Sequence, residues 1–158
     1  MRADDLPVVG AIAARVHPAY PEEAAVFAER LRLYPAGCRI LDLGGRAAGY
    51  AIGHPWVYGP PPRLNALLGA LPAAPTTLFL HDVALLPEAR GAGAACRLLG
   101  DLAELARAAG LLDLTLVAVN DSAAFWARRG FHAVQDPALG RDLRGYDPAA
   151  LLMRRRLS

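Results

Sequence analysis

Residues 78–95 read Leu-Phe-Leu-His-Asp-Val-Ala-Leu-Leu-Pro-Glu-Ala-Arg-Gly-Ala-Gly-Ala-Ala and bring several chemistries close together. His81 and Asp82 are titratable groups on an apolar run, each able to take up a proton directly or through water. Arg90 then heads a loop in which Gly91, Ala92, Gly93, Ala94 and Ala95 carry little or no side chain. Where such a loop opens a helix, free backbone N–H groups and the positive end of the helix converge, and bare backbone lets a diphosphate approach. Further on, Asn120 ends the next apolar run and Trp126 follows it, a cap-forming or ligand-bonding amide and an indole donor.

Two familiar phosphate loops do not fit. A Walker A loop ends in Gly-Lys-Ser/Thr, and all 17 Lys and Arg residues of this chain are arginine. A dinucleotide fingerprint needs a third glycine and an acidic residue about 20 positions on. Here the third position is Cys96, and the next strand ends at Asn120. What remains, Arg90-x-x-Gly93-x-Ala95 directly after a strand, resembles the (Arg/Gln)-x-x-Gly-x-(Gly/Ala) signature of the GNAT superfamily of acyl-CoA-dependent N-acyltransferases. A second block, Val117 to Gly130-Phe131, resembles that family's strand–helix segment ending in Gly-Phe, and the two blocks cover 76–135.

The resemblance implies an α/β fold: one GNAT-like domain over 1–158, with a mixed central sheet, helices on both faces and splayed central strands. It implies N-acetyl transfer from acetyl-CoA to a primary amine of a small molecule or peptide by direct attack, with no metal. Amides of 91–95, with Arg90, would take the coenzyme A diphosphate. The main chain of Val83, Ala84 and Leu85 would pair with the pantetheine arm like a neighbouring strand, and an N–H near Val83 would face the developing oxyanion. Asn120 matches a pantetheine-bonding position. The base is expected to be Asp82 or His81, which the two-residue strand period puts on opposite faces. Trp126 stands where many relatives have the tyrosine that protonates the thiolate, so water, Ser122 or Tyr146 would have to serve. Non-catalytic acyl-CoA binding is the alternative reading.

Composition sets the bounds. The 158 residues are 54% hydrophobic and 20% charged, as in a globular domain. A formal charge of +2 gives no reason to expect nucleic acid as a partner. Cys38 and Cys96 match no metal or redox spacing and read as reduced thiols. The apolar run Leu6–Ala14 follows Asp4 and Asp5 and so lacks the basic start of a signal peptide, and no stretch approaches the ~20 apolar residues of a membrane span. A cytoplasmic protein is expected, with no membrane partner. Arg154-Arg155-Arg156 would lie at a homodimer edge or in solvent.

These groups need a scaffold. Asp4-Asp5-Leu6-Pro7 predicts a capped helix to about Val16, stopped by Pro18, and a second helix starts near Pro21 with Glu22 and Glu23 at its positive end. His17, Tyr20 and Tyr34 flank these helices as candidate acceptor contacts. Cys38–Leu43 and Arg46–His54 predict a hairpin across Gly44-Gly45. Proline rules out a regular element over 54–62, a short helix is expected at 64–71, and Trp56 and Tyr58 either line a pocket or anchor this long connection. Strand 77–86, a helix to Ala109, strand 111–119, helix 121–129, strand 131–135 and strand 150–157 complete the order. The family's opening strand has only Met1-Arg2-Ala3 available and is expected to be vestigial or absent.

Overall fold

The computed structural model describes residues 1–91, 93–136, 138–139, 143 and 146–158. Two helices come first, α1 (Leu6–Val16) and α2 (Ala24–Leu33). The hairpin β1 (Cys38–Leu43) and β2 (Arg46–Trp56) follows, then β3 (Thr77–Leu85), α3 (Ala94–Ala108), β4 (Asp113–Ala118), α4 (Ala123–Ala127), β5 (His132–Ala133) and β6 (Leu151–Arg156). Six strands form one sheet in the order β1-β2-β3-β4-β6-β5. Among the described residues only β3 and β4 pair in parallel.

Helices cover both faces, as the mixed α/β expectation requires. On one face Leu99, Leu102 and Ala106 of α3 pack with Leu78 and Leu80 of β3, Leu114 and Leu116 of β4, Trp126 and Phe131. On the other, Val9 and Ile12 of α1 and Phe27 of α2 pack with Tyr50, Ile52 and Ala84. A small third cluster, Leu139, Leu143 and Leu152 with Val117 and Tyr146, holds the approach to β6.

Two irregularities in β3 shape the site. Its parallel pairing with β4 has three rungs, Thr77–Asp113, Leu78–Leu114 and Phe79–Thr115, and then stops although both strands continue. This is the expected splay. The register against β2 also jumps: Ile52 faces Asp82 while Gly53 faces Leu80, leaving His81 as an extra, bulged residue. A bulge resets which face each side chain occupies. Leu78 and Leu80 therefore join the α3 core, whereas Ala84 joins the α1–α2 core.

Several expected boundaries shift for identifiable reasons. β2 continues through Pro55 to Trp56, against the expectation that proline forbids it. Thr76 N–H donates to Trp56 O (2.9 Å), so strand alternation turns Pro55 away from β3, on a side where β1 pairing has already ended at Cys38–Ile52. No helix forms at 64–71; residues 57–76 are turns and irregular chain. Asp5 accepts from Arg2 N (2.6 Å) in a short turn before α1 and does not cap α1 itself. α4 starts at Ala123, because Asn120 (φ 52°) and Asp121 (φ 55°) are left-handed. Asn120 is therefore not its cap. No strand precedes α1 among the described residues, in keeping with the expected loss of the opening strand.

Candidate active site

The loop after β3 is built from backbone. Pro87–Ala89 makes one tight turn, and Gly93, left-handed at φ 73°, is the residue from which α3 springs. A side chain would be strained there, and likewise at Gly91 (φ 85°), beside which a Cβ would meet nothing within 4 Å. That combination of open space and bare amides at a fifteen-residue helix's N-terminus fits a diphosphate. Ala94 and Ala95 are buried beneath it. Arg90 is exposed, its Nε donating to Leu85 O at 3.2 Å, while Ala92 lies outside the described residues.

Beyond Phe79 the β4-facing edge of β3 has no strand partner among the described residues. Leu86 N–H donates to Ala48 O (2.9 Å), toward β2. Alternation then points the main-chain groups of Val83 and Leu85 into the splay and those of Ala84 toward β2. Side chains already reach the two exposed carbonyls: His17 Nε2 lies 3.3 Å from Val83 O, and Arg90 Nε takes Leu85 O. An extended amide-bearing arm would fit this edge, through Val83 and Leu85 and not Ala84.

A cavity opens in the splay, walled by Leu80–Val83 of β3, by Leu116, Val117 and Val119 of the β4 run, and by Trp126. Tyr20, Leu64 and Tyr146 line its far side. His81 and Asp82 both line it, which corrects the expectation of opposite faces; the bulge at His81 is the cause. Each of them is paired with a residue from the turn between α1 and α2. Asp82 accepts from the Tyr50 hydroxyl with Oδ2, and its Oδ1 lies 3.1 Å from His17 Nε2. His81 Nε2 lies 2.8 Å from Glu22 Oε2, both side chains nearly fully buried. Glu22, expected to serve the α2 N-terminus, instead bonds His81 and accepts Asn65 N–H at 2.9 Å.

Histidine chemistry follows from these partners. Nε2 of His17 faces only acceptors, Asp82 and Val83 O, so it carries the hydrogen and leaves Nδ1 as the basic atom. That Nδ1 is buried without a partner, and so is Nδ1 of His81. Burial lowers the pKa of His17, but the hydrogen bond and charge of Asp82 outweigh it and raise the value above the ordinary one. Burial, reinforced by Asp82, pushes the Tyr50 hydroxyl far up, so it stays a donor.

The other candidates divide: Trp126 and Tyr146 line the cavity, whereas Trp56, Tyr58 and Tyr34 do not. Trp126 is buried, edge-on to Phe131 (5.5 Å, 71°), with its indole N–H given to Ser122 Oγ at 3.2 Å. The Tyr146 hydroxyl donates to Pro62 O (2.8 Å), and burial raises its pKa. Trp56 anchors its loop, donating to Pro60 O (3.0 Å) and stacking edge-on against His54. Tyr58 lies under Arg154, 4.3 Å from ring centroid to guanidinium carbon, and does not line the cavity; nor does Tyr34. Sequence reasoning placed His17 and Tyr20 near an acceptor but missed the pairing of His17 with Asp82 and the use of Glu22. The available signal was His-Pro at a helix end and a carboxylate five residues on, within a turn too short to reach far from the sheet.

The sequence pattern of the Acetyltransferase (GNAT) family matches residues 8–131. No curated protein matches the sequence significantly. Among solved structures, the loading GNATL domain of CurA from Lyngbya majuscula superposes with TM-score 0.80 at 14% identity, over 99% of this chain and 95% of that one. GphF, a GNAT-like decarboxylase in complex with isobutyryl-CoA, gives 0.78 at 19% identity, covering 100% and 97%. The ribosomal-protein-S18-alanine N-acetyltransferase from Escherichia coli gives 0.66 at 20% identity, covering 100% and 91%. With the family pattern spanning both the glycine loop and the Gly-Phe block, on a sheet splayed beside that loop, the chain belongs to the GNAT acetyltransferase family.

Proposed function

We propose that the protein transfers an acetyl group from acetyl-CoA to a primary amine by direct attack, with His17 as the base. The observation that carries this is the unpartnered, buried Nδ1 of a histidine whose other nitrogen is fixed by Asp82 and which lines the cavity in the splay. When bound, the thioester supplies the acyl carbon and a thiol leaving group. The glycine loop and the Val83–Leu85 edge hold the diphosphate and arm, and a main-chain N–H beside Val83 faces the oxygen that gains charge. The incoming ammonium gives one proton to His17 Nδ1 and attacks the acyl carbon as the free amine; as the C–S bond breaks, the nitrogen gives its second proton to solvent. Asp82 acts through His17, keeping the Nε2–H tautomer and favouring the imidazolium, while Tyr50 holds Asp82. Trp126 closes the chamber by shape, and solvent protonates the departing sulfur.

The isobutyryl-CoA bound by GphF supports an acyl-CoA donor, and the amine-directed activity in the Escherichia coli enzyme's name supports the acceptor chemistry. The test is His17→Gln, assayed for thiol release from acetyl-CoA with a panel of primary amines alongside calorimetric binding of acetyl-CoA. Turnover should fall ~10²–10⁴-fold with affinity retained. Undiminished turnover would remove His17 from the reaction.

A further inference from the structure

The cavity also carries information about what enters it. Its described lining has two carboxylates, Glu22 and Asp82, and two histidines, but no arginine or lysine. Arg30 does not line it; its Nη1 donates to Glu29 Oε2 (2.5 Å) and its Nη2 to Ala66 O (2.8 Å), and its Nε is buried without a partner. Apart from the hydroxyls of Tyr20 and Tyr146, the rest of the wall is apolar, including Leu64, Phe79, Leu116, Val119 and Trp126. A bound carboxylate or phosphate would find no cationic arginine or lysine among these residues, whereas an ammonium would meet the carboxylates of Glu22 and Asp82.

Three separate segments are also tied together across the outer side. Tyr20, in the turn after α1, donates its hydroxyl to Asp147. The neighbouring Tyr146 reaches back to Pro62 O (2.8 Å) in the 57–76 connection. That connection is in turn fastened to the start of α2: Glu22 accepts Asn65 N–H (2.9 Å), and Glu23 N–H donates to Asn65 Oδ1 (2.8 Å). Glu29 fastens it a second time through Leu68 and Gly69 amides (2.7 and 2.9 Å). Tyr20, Glu22 and Tyr146 all line the cavity, so these ties hold its outer residues together.

We propose that the acceptor is a small ammonium with an apolar body and no carboxylate or phosphate, and that the Tyr20–Asp147 tie excludes peptide N-termini. This rests on the acyl-transfer reading only in calling the bound amine an acceptor. The assignment of what binds is independent of it.

A matched series with one side chain separates the cases: isopentylamine, leucine and a leucine-headed tripeptide, titrated calorimetrically into the wild-type protein and Tyr20→Phe. Isopentylamine should bind at least ~10-fold more tightly than leucine, whose carboxylate would be left unpaired, and more tightly still than the tripeptide. Tyr20→Phe should narrow the amine-over-tripeptide ratio by about the same ~10-fold factor. Thiol release from acetyl-CoA in the same series reports separately on transfer. The expected binding order without release would leave the ligand class standing and remove the transfer reading. Leucine or the tripeptide binding as well as isopentylamine, or no binding by any of the three, would overturn the proposed ligand class.

Discussion

Along β3, two kinds of recognition meet within five residues. From Val83 onward and through the loop at Gly91 and Gly93, the chain offers main chain: amides, carbonyls and space where side chains are missing. At His81 and Asp82 it offers side chains, each fixed by a partner from the turn after α1. The first surface is insensitive to most side-chain substitutions but intolerant of bulk. The second depends on single atoms and tolerates few changes. A site divided in this way can keep its cosubstrate while its acceptor chemistry is rebuilt, because only the side-chain half must change.

The largest effect should come from filling the backbone half. Gly93→Glu puts bulk and negative charge at the diphosphate position, and acetyl-CoA binding by calorimetry should be lost. Gly93→Ala is the control: at φ 73° it costs about 1–3 kcal/mol of strain but should leave measurable binding in the folded fraction. Unchanged affinity in a folded Gly93→Glu protein would put the cosubstrate elsewhere.

On the side-chain half, His17→Gln should cost far more turnover than His81→Gln, both with acetyl-CoA affinity intact. The reverse order in thiol-release assays would move the base to the Glu22–His81 pair. Asp82→Asn should be intermediate and leave a pH signature. With His17 as the proposed base its deprotonated form is the one that reacts, so on that reading kcat/KM should rise with pH through its raised pKa. Without the Asp82 charge that midpoint should move to lower pH. The same shift bears on stability. Because the fold holds His17 above its ordinary value, the pair's contribution is complete below about pH 6.5 and fades as pH climbs through the raised value. Urea unfolding of wild type and Asp82→Asn should converge toward alkaline pH.

The smallest effect on turnover is expected at Trp126. Trp126→Phe loses one hydrogen bond to Ser122 and should keep most activity. Trp126→Ala leaves a cavity beside Phe131 and should lower stability by ~3–5 kcal/mol. Collapse of turnover in a folded Trp126→Phe protein would assign the indole N–H to the substrate.

The same division explains what could be read from residue order. Gly91, Gly93 and the apolar strand before them act locally, over a few consecutive positions, so the loop and the strand–loop–helix unit were legible. So was the splay, through the family resemblance. The bulge at His81 was not: it arises from the register between β2 and β3, and strand alternation alone put His81 and Asp82 on opposite faces. His17 and Glu22 lie about 60 residues upstream of their partners, |i−j| being 66 from His17 to Val83 and 59 from Glu22 to His81. The His-Pro at the helix end and the carboxylate five residues on name no partner until the sheet is assembled. Glu22 had a sufficient local explanation as a helix-end charge, and that explanation concealed its other use. Pro55 misled for a related reason, since whether a missing N–H matters depends on which neighbour it would have faced.

The three rungs between β3 and β4 have a mechanical meaning. With Leu112 N–H donating to Thr76 O (3.2 Å), they are the main-chain seam, among the described residues, between the antiparallel half-sheet β1–β3 and the half-sheet β4–β6, reinforced by Thr77 Oγ1 at 3.0 Å from both Asp113 O and Thr115 Oγ1. In hydrogen exchange, amides at this seam should be the slowest to open, while those of Val83 and Leu85 should exchange early. A pantetheine arm laid along them would act as a missing strand and stitch the two halves together for most of their length. The cosubstrate would then stiffen the molecule as well as react, and slowed exchange at Val83 and Leu85 would report its arrival before any bond is made or broken.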